Sequence, residues 1–118
     1  MKLGAMFRDG RCAVPRAWLA DTPWTRLRGL LGRPPLGADG QEALLLRPCG
    51  AVHTFGMRYP LDIVFLDKRG CVLGVHAALP PGRMRHCRGA RQTLELAAGA
   101  LARLQPQRGE RFTWEATA

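Results

Sequence analysis

The stretch "LDIVFLDKRGCVLGV", Leu61 to Val75, decides how this chain folds. Apart from Asp62, residues 61–66 are β-branched, aromatic or leucine, the composition of a buried strand. Asp67-Lys68-Arg69-Gly70 puts Asp at the first position of a type I turn and Gly at the fourth. That order suits a three-residue hairpin loop closed by a glycine in the left-handed region. Residues 61–67 and 71–77 are therefore predicted to be adjacent antiparallel strands. With 68–70 as the loop, Asp67 faces Cys71, Phe65 faces Leu73, Ile63 faces Val75 and Asp62 faces His76. Alternation then gives Leu61, Ile63, Phe65, Leu73 and Val75 one core face. The other face carries Val64, Leu66 and Val72, with Asp62 and His76 at its end. It too is apolar enough to need a cover.

Outward from this hairpin, further strands are expected at 2–7, 12–19, 42–47, 51–55, 91–96 and 110–116, separated by Gly, Pro and Asp. "DTPWTRLRGLLG" predicts one short helix over about 22–31. Asp21 or Thr22 caps it, Pro23 suits its first turn and Gly32 its end. Trp24, Leu27, Leu30 and Leu31 form its apolar face. A helical turn around 100–104 follows Gly99. Many short strands with one real helix predict a mainly β fold, a compact antiparallel sandwich or barrel-like single domain over 1–118.

Composition narrows the function. The chain carries a net charge of +9, and Arg supplies 16 of its 18 basic residues. Such a field favours an acidic partner, although a GC-rich genome would also select Arg with the abundant Ala, Gly and Pro. No apolar run approaches the ~20 residues of a membrane span. The start, "MKLGAMFRDGR", has no apolar signal region, so the expected compartment is the cytoplasm. Cys12, Cys49, Cys71 and Cys87 contain no C-x-x-C pair and are expected as free thiols.

Three blocks, "RLRGLLGR", "VHTFGMRYPLDIVFLDKRG" and "LELAAG", together resemble the bacterial and archaeal family catalogued as domain of unknown function 192, over about 24–109. The resemblance maps the family's signature onto Arg28, Gly29, Leu30, Gly32 and Arg33, then His53, Met57, Pro60, Asp62, Phe65, Asp67 and Gly70, then Glu95 and Gly99. It implies a compact, mainly β single domain and supplies no catalytic residue. The chain departs from the pattern at Gly109-Glu110, where relatives carry Gly-Asp, and at Gln105, where a glycine is common. The resemblance implies that many relatives are secreted or membrane-anchored; no such leader is expected in this chain.

Four constellations carry candidate chemistry. Asp62 with His53 or His76 has the makings of an acid/base pair; the plainer reading is a buried carboxylate holding the hairpin end. Cys49, His53, Met57 and Asp62 offer ligands for a soft metal ion, but four-residue spacing along a strand sets Cys49, His53 and Met57 about 13 Å apart at each step unless the glycines bend the chain. The plainer reading is core packing, and no metal or other cofactor is expected. Arg83, Arg85, Arg88 and Arg91 in "PPGRMRHCRGARQ" form the densest basic segment, expected as an exposed loop. It lacks the interleaved aromatics of single-strand binders, so nucleic acid is not the favoured partner. Glu95, between Leu94 and Leu96, either lies on the outer face or pairs with Arg28 or Arg33, the ion pair being preferred.

The leading function class is a binding or accessory module for a small ligand or protein partner, with Arg33, His53, Met57, Asp62 and Glu95 as candidate binding residues. An enzyme using Asp62 with His53 or His76 is the second class. A nucleic-acid-associated protein working through its arginines is the third.

Overall fold

The computed structural model describes residues 1–117. In chain order its elements are β1 (Lys2–Arg8), β2 (Arg11–Ala20), α1 (Pro23–Arg28), β3 (Glu42–Leu46), β4 (Ala51–His53), β5 (Leu61–Leu66), β6 (Val72–Leu79), β7 (Met84–His86), β8 (Gln92–Ala97), α2 (Ala100–Leu104) and β9 (Phe112–Ala116). The fold is mainly β, as expected. Seven strands form one sheet in the order β6-β5-β8-β3-β2-β1-β9, and β4 pairs with β7 in a separate ribbon. Neighbouring strands are antiparallel except β2 and β3, which run parallel, so the sheet is mixed.

The sheet rolls until its two edge strands meet. The Val72 amide donates to the Glu110 carbonyl at 2.8 Å, and the Phe112 amide to the Gly70 carbonyl at 2.8 Å. Of the expected architectures, the structure is therefore the barrel-like one. Gly70 lies at this seam with φ +90°, and a Cβ there would overlap the Phe112 carbonyl oxygen. Only glycine combines that dihedral with that approach.

Period-two alternation divides the apolar residues between two cores. Met6, Val14, Leu19, Leu45, Val64, Leu66, Val72, Leu94, Leu96 and Phe112 fill the barrel interior, plugged by Ala100 and Leu104 of α2. Leu44, Leu46, Leu61, Ile63 and Phe65 point outward and are covered by Leu30, Leu36, Val52 and Ala90. The hairpin face expected to need a cover, Val64, Leu66 and Val72, is therefore the barrel interior, and the face of Leu61, Ile63 and Phe65 is the one that the outer layer covers.

The hairpin turn forms as predicted. Gly70 donates to the Asp67 carbonyl at 3.0 Å, and Asp67 Oδ1 accepts the Arg69 and Cys71 amides at 2.8 and 2.9 Å. The register beyond it differs. Ile63 faces His76, Val64 faces Val75, Phe65 faces Gly74 and Leu66 faces Val72, with irregularities after Phe65 and between Leu61 and Ile63. An extra residue at Leu73 shifts the pairing by one, so the expected Asp62–His76 pair does not form. Val75 falls outside the core and is 48% exposed.

Two further expectations are corrected. The helix stops at Gly29 instead of reaching residue 31, and Trp24 and Leu27 are 67% and 65% exposed instead of packing inward. The 83–91 segment is no simple loop, because Met84–His86 pairs with β4. The helical turn expected after Gly99 does form, as α2.

Candidate functional site

Asp62 has a structural setting. It is 1% exposed. Its Oδ1 accepts the Ala78 amide at 2.7 Å, and its Oδ2 accepts the Gly99 and Leu101 amides at 3.0 and 2.9 Å. The Ala78 bond pins the bulge opposite Asp62, where Ala78 takes φ +50°. The other two bonds satisfy amides at the start of α2, which has no side-chain cap of its own. Strand alternation puts Asp62 on the interior side with Val64, and Ile63 with its partner His76 on the opposite side. The carboxylate is therefore occupied by backbone amides, and neither His53 nor His76 is its partner.

The other candidates assemble elsewhere, on the outer face of the sheet. Glu95 on β8 stands between Leu44 of β3 and Ile63 of β5. Alternation turns it away from the barrel interior, under the layer formed by α1, the segment after it and the β4–β7 ribbon. It is 6% exposed. The outer-face placement thus holds, but the face is covered; among the described residues Glu95 makes no salt bridge and no hydrogen bond, so the preferred ion pair with Arg28 or Arg33 does not form. Arg33 instead donates to the Gly29 carbonyl at 3.1 Å, and Arg28 reaches the Leu31 carbonyl at 3.5 Å. Desolvation of the charged form raises the Glu95 pKa from 4.5 to about 7.

Above Glu95 opens a cleft of about 350 Å³, lined by Leu30, Leu46, Cys49, Val52, His53, Met57 and Leu61, with Arg26, Leu27, Arg28 and Leu31 on one wall. Each wall has a local cause. Thr22 and Thr25 form a reciprocal capping box, each backbone amide donating to the other's hydroxyl at 3.1 Å, so α1 holds its shape with no buried residue. Gly29 ends it and lets Leu30 turn inward, to 5% exposure. On the facing wall, Thr54 Oγ1 accepts the Arg83 amide at 2.9 Å and donates to the Pro80 carbonyl at 2.6 Å, fixing the end of β4 to the loop before β7. The chain then reverses through Gly56, with the Met57 amide donating to the Thr54 carbonyl at 3.2 Å. That bend lets Met57 line the same cleft as Cys49 and His53, which a straight strand would have kept apart.

Asp62 does not line this cleft. His53 lies exposed at its edge and stacks on Phe55, ring centroids 5.5 Å apart. The Cys49 thiol donates to the Ala51 carbonyl at 3.1 Å. No group of three or more His, Cys, Asp or Glu residues among those described is arranged to hold a metal ion. Arg83, Arg88 and Arg91 are exposed, while Arg85 is half-buried and donates to the Met84 carbonyl at 2.7 Å.

The sequence reading missed Tyr59 and Arg26. The Tyr59 hydroxyl is buried without a hydrogen-bond partner. Burial raises its pKa first, and the Glu95 charge second. Tyr59 lines an adjoining cleft that shares Leu30 and Met57 with the first. A tyrosine inside the dense signature block, next to Pro60, was the available signal.

The family model of DUF192, described as "Uncharacterized ACR", matches residues 5–114. Two solved structures are similar, each with a TM-score of 0.78. One is a protein of unknown function from Novosphingobium aromaticivorans DSM 12444, 24% identical, the match covering 95% of this chain and 84% of that one. The other, from Sinorhizobium meliloti 1021, is named as a candidate transcription regulator; it is 22% identical over 96% of this chain and 92% of that one. At such identities the likeness establishes the fold. No curated protein matches the chain. No helix among the described residues is long and apolar enough to cross a membrane.

Proposed function

The chain belongs to the uncharacterised DUF192 family, and from that premise we propose that it is a small-ligand-binding module whose site is the cleft above Glu95. One observation carries this reading. A carboxylate 6% exposed, with no cation and no hydrogen-bond donor among the described residues, forms the floor of a largely apolar concavity. Isolated buried carboxylates are costly, and proteins ordinarily pair them. An apolar cleft with a few unsatisfied polar groups is the usual form of a ligand site, and about 350 Å³ lies at the small end of that range.

The site is built for binding more clearly than for reaction. Asp62, the strongest acid/base candidate in the sequence, is bound by three backbone amides. The direct test is a fragment screen followed in two-dimensional amide NMR spectra. The reading expects shifts concentrated at Leu30, Cys49, Val52, Met57, Leu61 and Glu95. Hits that perturb only other surfaces, or no hits at all, would overturn it.

A further inference from the structure

Resting on that reading, we infer that the cleft takes a bipolar ligand: a hydrogen-bond-donating nitrogen head seated on Glu95, a short apolar body, and an anionic end held at Arg26 and Arg28. The inner end of the site is acceptor-rich and donor-poor. Glu95 is more than nine-tenths buried and has no partner among the described residues, so an incoming N–H group supplies what the fold does not. Charge-assisted bonds of this kind are the strong ones, and strongest where water is excluded. The middle is apolar, formed by Leu30, Met57 and Leu61.

The outer end has the opposite sign. Arg26 and Arg28 line the same cleft, and neither is in a salt bridge among the described residues. Arg26 uses one nitrogen on the Asp21 carbonyl at 3.3 Å and Arg28 one on the Leu31 carbonyl, which leaves further N–H groups on each fork. Apart from Glu95, no carboxylate lines the cleft. An amine alone would enter against two guanidinium charges, and a carboxylate alone would bring Glu95 no donor. A molecule bearing both groups at opposite ends answers both constraints. The other titratable groups around Glu95 are His53 and Cys49 in the cleft and Tyr59 beside it.

The test compares three probes by titration calorimetry against the whole chain: 6-aminohexanoate, hexylamine and hexanoate. The aminocarboxylate should bind tightest. Replacement Glu95→Gln, close in shape, should weaken it about tenfold or more while leaving hexanoate unchanged. A double replacement, Arg26→Gln with Arg28→Gln, should lower its affinity to that of hexylamine and leave hexylamine no weaker. Hexanoate binding as well as the aminocarboxylate, or indifference of the aminocarboxylate to Glu95→Gln, would overturn the inference. If none of the three binds but neutral fragments perturb the cleft, the ligand class is wrong and the binding site stands. If nothing perturbs the cleft, the proposed function fails with it.

Discussion

The Oδ2 atom of Asp62 accepts the Leu101 amide at 2.9 Å, across 39 residues of chain. One carboxylate therefore ties a β5 position to the start of α2, and through Ala78 to β6. A charged residue in the middle of an apolar strand is explained by three buried amides that need an acceptor. Replacement Asp62→Ala should cost about 3 kcal/mol or more, since each buried donor left unpaired costs about 1–3 kcal/mol. Urea denaturation of both proteins measures it. Amide exchange should also accelerate at Ala78, Gly99 and Leu101.

Ala78 holds φ +50° at the bulge opposite Asp62. A non-glycine residue there is strained by about 1–2 kcal/mol, partly offset in a glycine variant by greater unfolded-state entropy. Replacement Ala78→Gly should stabilise the fold by about 0.5 kcal/mol, read from the denaturation midpoint. Gly70 predicts the reverse. Its φ is +90° and a Cβ would overlap the Phe112 carbonyl, so Gly70→Ala should destabilise strongly and loosen the β6–β9 seam. Faster exchange of the Val72 and Phe112 amides is the signature to look for.

Tyr59 gives a prediction of unusual sign. Its hydroxyl is buried without a partner, so its desolvation is uncompensated. Removing the oxygen in Tyr59→Phe should raise stability by about 1 kcal/mol, where loss of a satisfied hydroxyl would lower it. A thermal melt in the absence of ligand distinguishes the two.

How much of this was legible in the sequence depends on how local the cause is. The Asp67–Gly70 turn could be read because its chemistry lies within four residues. The two-faced burial of β5 could be read because alternation follows from strand geometry. The register could not, since the irregularity after Phe65 and the bulge at Ala78 depend on partners far along the chain. The strand at Met84–His86 was hidden inside an arginine-rich segment because it pairs only with β4. Alternation placed Glu95 opposite Leu94 and Leu96. That Arg28 and Arg33 would spend hydrogen bonds on carbonyls of their own segment, leaving Glu95 without a cation, needed the structure.

Glu95 should also make stability fall as pH rises. Its pKa is about 7 folded against 4.5 ordinarily. Between those values the folded state binds a proton that the unfolded state has lost. Stability from this group is fully present below 4.5, declines up to about 7, and is constant above it. The total is on the order of 3 kcal/mol at ~1.4 kcal/mol per pH unit. Asp67 acts in the opposite sense: the Cys71 amide bond leads in lowering its pKa, so its contribution is lost as pH falls. Melting Glu95→Gln beside the parent separates them. The variant should be the more stable at pH 8 and lose that advantage near pH 5.

The central claim is that Glu95 is a buried carboxylate awaiting a partner. The most direct measurement is the titration of its side-chain carboxyl carbon by NMR in the ligand-free protein. A midpoint near 7 is expected, moving downward when 6-aminohexanoate is added, because an ammonium group favours the ionised form. A midpoint at or below the ordinary 4.5 would contradict it, since the carboxylate would then already be solvated or paired.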